Sequence, residues 1–295
     1  MIRLRFAIEL RYEIADNPAD FVFNIHAART PHQSVFVESL SVSQPVATAH
    51  HSDALGSRYV SMTASPGPLA VRYEATVDIT HHLESPARIE EVPIARLAPE
   101  LLPFVYPSRY CQADRLRRFA TREFGHLRQG YWRVQAIRDW VAQRTAFTAG
   151  SSDHTTSAVD TLIEQVGVCR DFAHLMIALC RAVNIPARFV TGIDYGAPLS
   201  MGPPDFHAYV EVFLGNRWYL FDPTGISPPM GLVRIGTGRD AADVSFATMF
   251  GAVKSFAPLI TIDAVDDAAG GFTLPGHSTD AVSTHGHQAF AQVPL

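Results

Sequence analysis

The sequence predicts an α+β protein: an N-terminal antiparallel β-sandwich, then helices packed on a second antiparallel sheet. Three observations predict it. Apolar residues recur at every second position through much of the first 85 residues. Helical spacing replaces that period from Ala113 to Asn184. Period two then returns from Ala187 and runs into a hairpin marked by Gly215-Asn216. Strand runs followed by helix runs are the pattern of segregated layers.

Residues 1–85 carry the first signal. Leu4, Phe6, Ile8 and Leu10 alternate with Arg5, Ala7 and Glu9. Phe21, Phe23 and Ile25 repeat the alternation, and Val35, Val37, Leu40 and Val42 follow it with one slip in phase. Leu69, Val71, Tyr73, Ala75, Val77 and Ile79 keep a clean period of two. Such alternation puts one set of side chains on a buried face. Turn residues separate the runs at Asp16-Asn17-Pro18, Thr30-Pro31 and Pro66-Gly67-Pro68, and strands at this spacing predict a small sandwich. Residues 86–109 are rich in proline (Pro86, Pro93, Pro99, Pro103, Pro107) and read as a linker or a segment wrapped along the surface.

The second domain is expected over 110–266. Helices are predicted over about 113–127, 131–147, 158–165 and 167–184. Leu116, Phe119 and Phe124 are the apolar contacts of the first, and Trp132, Ile137, Trp140 and Val141 those of the second. Thr156 or Ser157 caps the third. The fourth, GVCRDFAHLMIALCRAVN, is apolar over much of its circumference and so belongs at the centre. Asn184 and Pro186 end it. Strands follow over 187–193, 206–213 and 217–221, the last two joined through Gly215-Asn216, and another covers 259–264. The Gly-, His- and Ser-rich stretch 267–295 lacks period and is expected to be a loose tail.

Composition narrows the function classes. The chain is 47% hydrophobic and 18% charged, with a formal net charge of -5. No basic patch stands out, so nucleic acid is not an expected partner. No run reaches the length of a membrane span, and no membrane partner is expected. The alternating start carries Glu9 early, unlike a signal peptide. The three cysteines, Cys111, Cys169 and Cys180, include no CxxC pair. They predict neither a disulfide framework nor a structural zinc site, and they fit a reducing, cytoplasmic setting. No cofactor is expected, and the sequence leaves the oligomeric state open.

Three residues carry the chemistry. Cys169 opens the fourth helix, where unpaired N–H groups and the positive end of the helix dipole favour thiolate over thiol. Gly167 lets the backbone approach closely there. Cys180, on the apolar face of the same helix, and Cys111 read as buried structural thiols. A thiolate needs a base, and His207 stands at the start of a strand in which His207, Tyr209, Glu211 and Phe213 share one face. Asp222 ends the next strand, and the hairpin places 207 and 222 opposite or nearly so. An aspartate there can hold the imidazole tautomer. Taken singly, each residue also has a bland reading; Asp222-Pro223, for instance, is ordinary turn chemistry. The combination points to nucleophilic catalysis.

GVCRDFAHL (167–175), IPARFVTG (185–192), FHAYVEV (206–212) and WYLFDPTG (218–225) resemble the transglutaminase-like superfamily. LPFVYPSRY (102–110) and RIGTGRDAADV (234–244) are similar to its bacterial branch. The resemblance implies a papain-like core preceded by a β-domain, with Cys169, His207 and Asp222 as the catalytic triad. It also implies acyl transfer through a Cys thioester. A peptide or protein substrate is expected, with hydrolysis favoured over transamidation because nothing marks an amine tunnel or the calcium loops of animal transglutaminases. The chain departs from the family pattern at Tyr209, where Trp is common, and at Gly225, where Asp-Pro-Thr-Asn-Gly is usual. Both put substrate preference rather than chemistry in question.

Other residues carry weaker signals. Asp171 reads as a helix-dipole partner and His174 as structural. Trp132 or Trp140 could offer an oxyanion donor, but core roles fit both better. Gln165 matches an oxyanion glutamine only loosely. Two further readings stay open: a non-catalytic binding module, and a metal hydrolase using His207, Asp222 and one of the pairs His50-His51, His81-His82 or His285/His287. No HExxH spacing supports the second.

Overall fold

The computed structural model describes residues 1–285 other than 199, 201 and 268. Its strands run β1 (Ile2–Ile14), β2 (Ala19–Phe23), β3 (Gln33–Val42), β4 (Ala49–Ser52), β5 (Arg58–Ala64), β6 (Gly67–Ile79) and β7 (His82–Glu84). Helices α1 (Ala113–Phe124) and α2 (Tyr131–Arg144) follow, then β8 (Ala146–Phe147), α3 (Ala158–Glu164), β9 (Val166–Gly167) and α4 (Cys169–Ala182). Strands β10 (Ala187–Asp194), β11 (Phe206–Leu214), β12 (Arg217–Phe221) and β13 (Leu232–Gly238) form one sheet in the order β12-β11-β10-β13. The chain continues through β14 (Ala247–Phe250), β15 (Val253–Ser255), β16 (Leu259–Val265) and β17 (Ala281–Ser283).

The sandwich follows from its alternation. The even-numbered residues Leu4 to Tyr12 of β1 meet Phe21, Phe23, Val60 and Met62 of the facing sheet in one apolar core. The slip in phase, read from the sequence between Val37 and Leu40, falls earlier: β3 bulges against β6 between Val35 and Val37, where one strand carries one residue more than its partner, and Val37 is exposed. Strand β5 was not expected, because only Val60 and Met62 put large side chains on its buried face.

The domain boundary drawn at 266 differs from the architecture. Strands β15 and β16 pair with β1, and β14 pairs with β2. Residues 247–265 therefore return to complete both sandwich sheets, and β1 is hydrogen-bonded along both edges. The two units also share a core: Ile193, Val233 and Ile235 of the second sheet pack among the sandwich residues. The tail is likewise less loose than expected. Residues 281–283 form β17 against β7, with Ala281 and Val282 buried; a three-residue strand in a Gly- and His-rich stretch leaves no readable period. Residues 286–295 of the expected tail lie outside the described residues.

The segment 86–109 forms short 3-10 turns and packs Leu101 and Phe104 against Phe213 and Trp218 on the second sheet. It ties the hairpin to α2: Gly215 N–H donates to Glu90 O at 2.9 Å and Tyr131 N–H to Ile89 O at 3.1 Å. On the opposite face of that sheet, Ala208, Val210 and Val212 pack with α4, which is buried along nearly its whole length. Helix α4 is the central helix that its apolar circumference predicts. It ends at Asn184, whose φ of 65° is left-handed.

Candidate active site

Cys169 is the first residue of α4, and the loop before it is built tightly. A Cβ on Gly167 would lie 2.7 Å from Asp171 Cβ, so the close approach requires glycine. The buried Asp171 carboxylate accepts the Val168 N–H at 2.8 Å and the Ser152 hydroxyl. Asp171 is thus a cap that closes the helix start, consistent with its expected dipole role. Arg170 reaches Ser152 Oγ at 3.1 Å and Asp153 O at 2.8 Å, pinning the 152–153 loop to the same turn. Strands β8 and β9 pair in parallel directly upstream.

The three thiols are not equivalent. Cys169 is half-buried, whereas Cys111 and Cys180 are fully buried. Burial pushes the Cys111 thiol up to about 12 and the Cys180 thiol still higher, so both stay protonated and inert.

Cys169 Sγ lies 4.0 Å from the carbonyl oxygen of Phe206, the residue before His207. His207 is the second residue of β11, directly opposite Gly192 of β10. A Cβ at Gly192 would lie 2.2 Å from Val233 O, and β10 bulges between Thr191 and Gly192 against β13. The glycine and the bulge set the strand level at which the imidazole sits.

Asp222 reaches His207 differently from the sequence expectation. The turn residues Gly215 and Asn216 both have positive φ, 54° and 68°, the signature of a type I′ hairpin. Leu214 faces Arg217, and Val210 faces Phe221. Asp222 therefore comes level with Tyr209 rather than with His207, one same-face position along the strand. The His207 ring still spans that step, with Nε2 3.3 Å from Asp222 Oδ1. With Asp222 on Nε2, Nδ1 is the ring nitrogen left for the sulfur.

The carboxylate is well held. Asp222 Oδ1 accepts Thr224 N–H at 2.9 Å and the Thr224 hydroxyl at 2.7 Å. Oδ2 accepts Ser227 N–H at 3.1 Å, and Arg138 Nε on α2 donates to the Asp222 backbone carbonyl at 2.8 Å. Burial alone would raise the Asp222 carboxyl, but the hydrogen bond and charge of His207, with the Thr224 and Ser227 donors, hold it below the usual range. Burial likewise opposes a charged ring at His207. The hydrogen bonds to Asp222 and Cys169 and the charges of both outweigh it, so the imidazole is pushed well above its ordinary value.

Other candidates separate from this cluster. His174 is buried, stacks on Tyr110 with centroids 4.9 Å apart, and accepts Ala241 N–H through Nε2 at 3.1 Å. Burial lowers its ring to about 3, so it is a neutral core residue, as expected. Trp140 packs edge-on against Phe119 and Phe124 as a core residue, whereas Trp132, for which a core role was also expected, is 58% exposed. Gln165 closes α3 with a left-handed φ of 57°. Tyr209 is fully buried with its ring edge-on to His207 at 4.7 Å. Its hydroxyl makes no hydrogen bond among the described residues, although Ser227 approaches it. No group of three or more His, Cys, Asp or Glu side chains among the described residues is arranged to hold a metal ion. Arg138, Asp194 and Ser227 were missed by sequence reasoning. Each is an ordinary polar residue at a helix, strand end or loop, and only the convergence of three elements gives it a role.

Comparison with known proteins agrees with this architecture. A profile of the transglutaminase-like superfamily matches residues 117–223, the span that holds all three candidate residues. A profile of the bacterial transglutaminase N-terminal domain matches residues 2–100. The crystal structure of a candidate cysteine protease from Cytophaga hutchinsonii is 38% identical, covers 96% of this chain and 97% of its own, and superposes with a TM-score of 0.88. The chain belongs to the transglutaminase-like superfamily. Shorter matches reach an uncharacterized protein of Mycobacterium leprae, 29% identical over 117 residues, and one of Mycobacterium tuberculosis, 31% identical over 125 residues. Those alignments take in 38% of this chain and 42% and 40% of the two mycobacterial proteins, respectively. The transglutaminase-like core thus stands behind an N-terminal β-sandwich in this chain, as the resemblance implied.

Proposed function

We propose that the protein is a thiol-dependent acyl-transfer enzyme acting on amide bonds of a peptide or protein, with water as the favoured acceptor. The observation that carries the reading is His207, hydrogen-bonded to Asp222 at 3.3 Å, beside a helix-opening Cys169 whose sulfur lies 4.0 Å from the carbonyl oxygen of Phe206. A half-buried thiol at a helix start, facing a ring held by a buried carboxylate, is the arrangement nucleophilic catalysis requires.

The Cys169 sulfur attacks the amide carbonyl carbon, and the carbonyl electron pair moves to oxygen. The Cys169 N–H at the start of α4 is the donor for that developing charge. The tetrahedral intermediate collapses with loss of the amine, which takes the His207 proton as it leaves. A thioester on Cys169 remains. Water then attacks, giving its proton to His207, and the carboxylic acid departs with regeneration of the thiol. Asp222 keeps the ring oriented in both halves. An amine in place of water gives transamidation through the same thioester.

A screen of peptide, isopeptide and glutamine-amide substrates tests the reading. Cys169→Ala should lower turnover by roughly 10⁴-fold or more, and mass spectrometry of quenched wild type should find the acyl group on the Cys169 peptide. Turnover that survives in Cys169→Ala would sink the proposal.

A further inference from the structure

His207 has a further buried carboxylate in its surroundings besides Asp222, and a serine links the two. Asp194 ends β10 on the same sheet face as His207: Gly192, two residues earlier, is the cross-strand partner of His207, and alternate residues share a face. Asp194 is 9% exposed. A single serine joins it to the other carboxylate. Ser227 N–H donates to Asp222 Oδ2 at 3.1 Å, and the Ser227 hydroxyl donates to Asp194 Oδ2. The loop from 222 to 227 is therefore fastened at both acids. Placing a second acid in a buried site is costly; the His207 imidazolium offsets part of that cost, and burial still leaves the Asp194 carboxyl above its ordinary range.

We propose that Asp194 is a positioning residue for His207: through Ser227 it fixes the loop carrying Asp222, and its charge helps hold the imidazolium that partners Cys169. The proposal rests on the reading of Cys169 and His207 as the reacting pair.

The groups that face His207 come from several elements. Cys169 does so from the start of α4 and Asp222 from the end of β12. Asp205 lies just before β11, Asp194 ends β10, and Tyr209 lies along β11 itself. Arg138 on α2 touches only the Asp222 backbone carbonyl in this group. Burial pushes the Asp194 carboxyl up, His207 pulls it down, and Asp222 pushes it up. Coupling between two titrating groups is mutual. Removing the Asp194 charge therefore lets His207 lose its proton at lower pH.

The experiment is a ¹⁵N NMR titration of the full chain labelled at histidine, with the His207 signal assigned by its loss in His207→Ala. In Asp194→Asn, which keeps the shape and a partner for Ser227, His207 should titrate about one pH unit lower than in wild type. Cys169→Ala should also lower it. An Asp194→Asn protein that turns over more slowly with the His207 titration unmoved has lost only a structural tether, and the proposal is overturned. A titration that neither variant moves overturns the Cys169–His207 pairing as well; one that moves with Cys169→Ala alone overturns only the role of Asp194. If Asp194→Asn does not fold, the same coupling is read in reverse. The ¹³C carboxyl titration of Asp194 should move upward in His207→Ala, and an unmoved titration refutes the proposal.

Discussion

At the residue scale, chemistry is set by what surrounds each side chain. Cys180 lies three turns along α4 from Cys169, yet burial alone makes it inert. His174 lies five residues from Cys169 and is neutral for the same reason. Alkylation by iodoacetamide at pH 6–7 should therefore modify Cys169 and leave Cys111 and Cys180 untouched, as read by peptide mass mapping. Replacing His207 by Ala removes the counter-charge and should slow that alkylation by roughly tenfold or more. Stability follows the same groups. His207 holds its proton above its ordinary value, so the stability from that proton is fully present below about 6.5 and is lost as pH rises through the folded-state value. Asp222 runs the other way: its contribution is present above about 3.9 and is lost as pH falls through its lowered value. The unfolding free-energy difference between wild type and His207→Ala, from urea titrations, should be largest between these limits and shrink on the alkaline side. A difference that grows with pH would contradict the assignment.

At the scale of elements, three strands meet in a buried ionic group. Arg188 of β10 and Arg234 of β13 both bind Glu211 of β11, with Arg188 Nε 2.8 Å and Arg234 Nη1 2.9 Å from Glu211 Oε2. Trp218 of β12 lies 3.9 Å beneath the Arg188 guanidinium. Burial would raise the Glu211 carboxyl, but the two guanidinium groups hold it far below the usual range. Glu211→Ala strands two buried cations and should cost about 3–5 kcal/mol of stability by urea denaturation. Glu211 is on the face that alternation assigns it, but its partners come from positions 23 residues away in either direction, which periodicity cannot reveal. Gly192 tests the strand level at which His207 sits. Gly192→Ala drives a methyl into Val233 O and should destabilise by about 1–3 kcal/mol, with loss of Cys169 reactivity beyond what the lower stability explains.

At the scale of the whole molecule, the two units are interwoven. Strands β14, β15 and β16 come after the transglutaminase-like core and close the sandwich that precedes it. Ile193, Val233 and Ile235 belong to both by packing. Calorimetry should therefore show one unfolding transition, and two resolved transitions would argue for independent domains. A chain ending at 266 loses β17 and the Arg234–Thr284 hydrogen bond of 3.0 Å. It should melt several degrees lower, since about 1–2 kcal/mol moves a chain of this size by a few degrees.

Local pattern alone determined the strand and helix identities of the long elements, a slip in phase within β3 and the tight hairpin at 215–216, while Cys169, His207 and Asp222 were candidates on combined placement and family resemblance. The elements, the slip and the hairpin follow from side-chain period and turn chemistry, which act over a few residues and so are written in order along the chain. Tertiary structure decided the rest. It returned 247–265 to the sandwich and made β13 a strand despite Gly236 and Gly238, whose Cβ atoms would collide with Asn24 and Asp243. It placed Asp222 level with Tyr209, and it gathered Asp194 and Ser227 behind His207. Each of these depends on contacts between segments far apart in sequence, where the free energy of an arrangement belongs to the pairing and to neither segment alone.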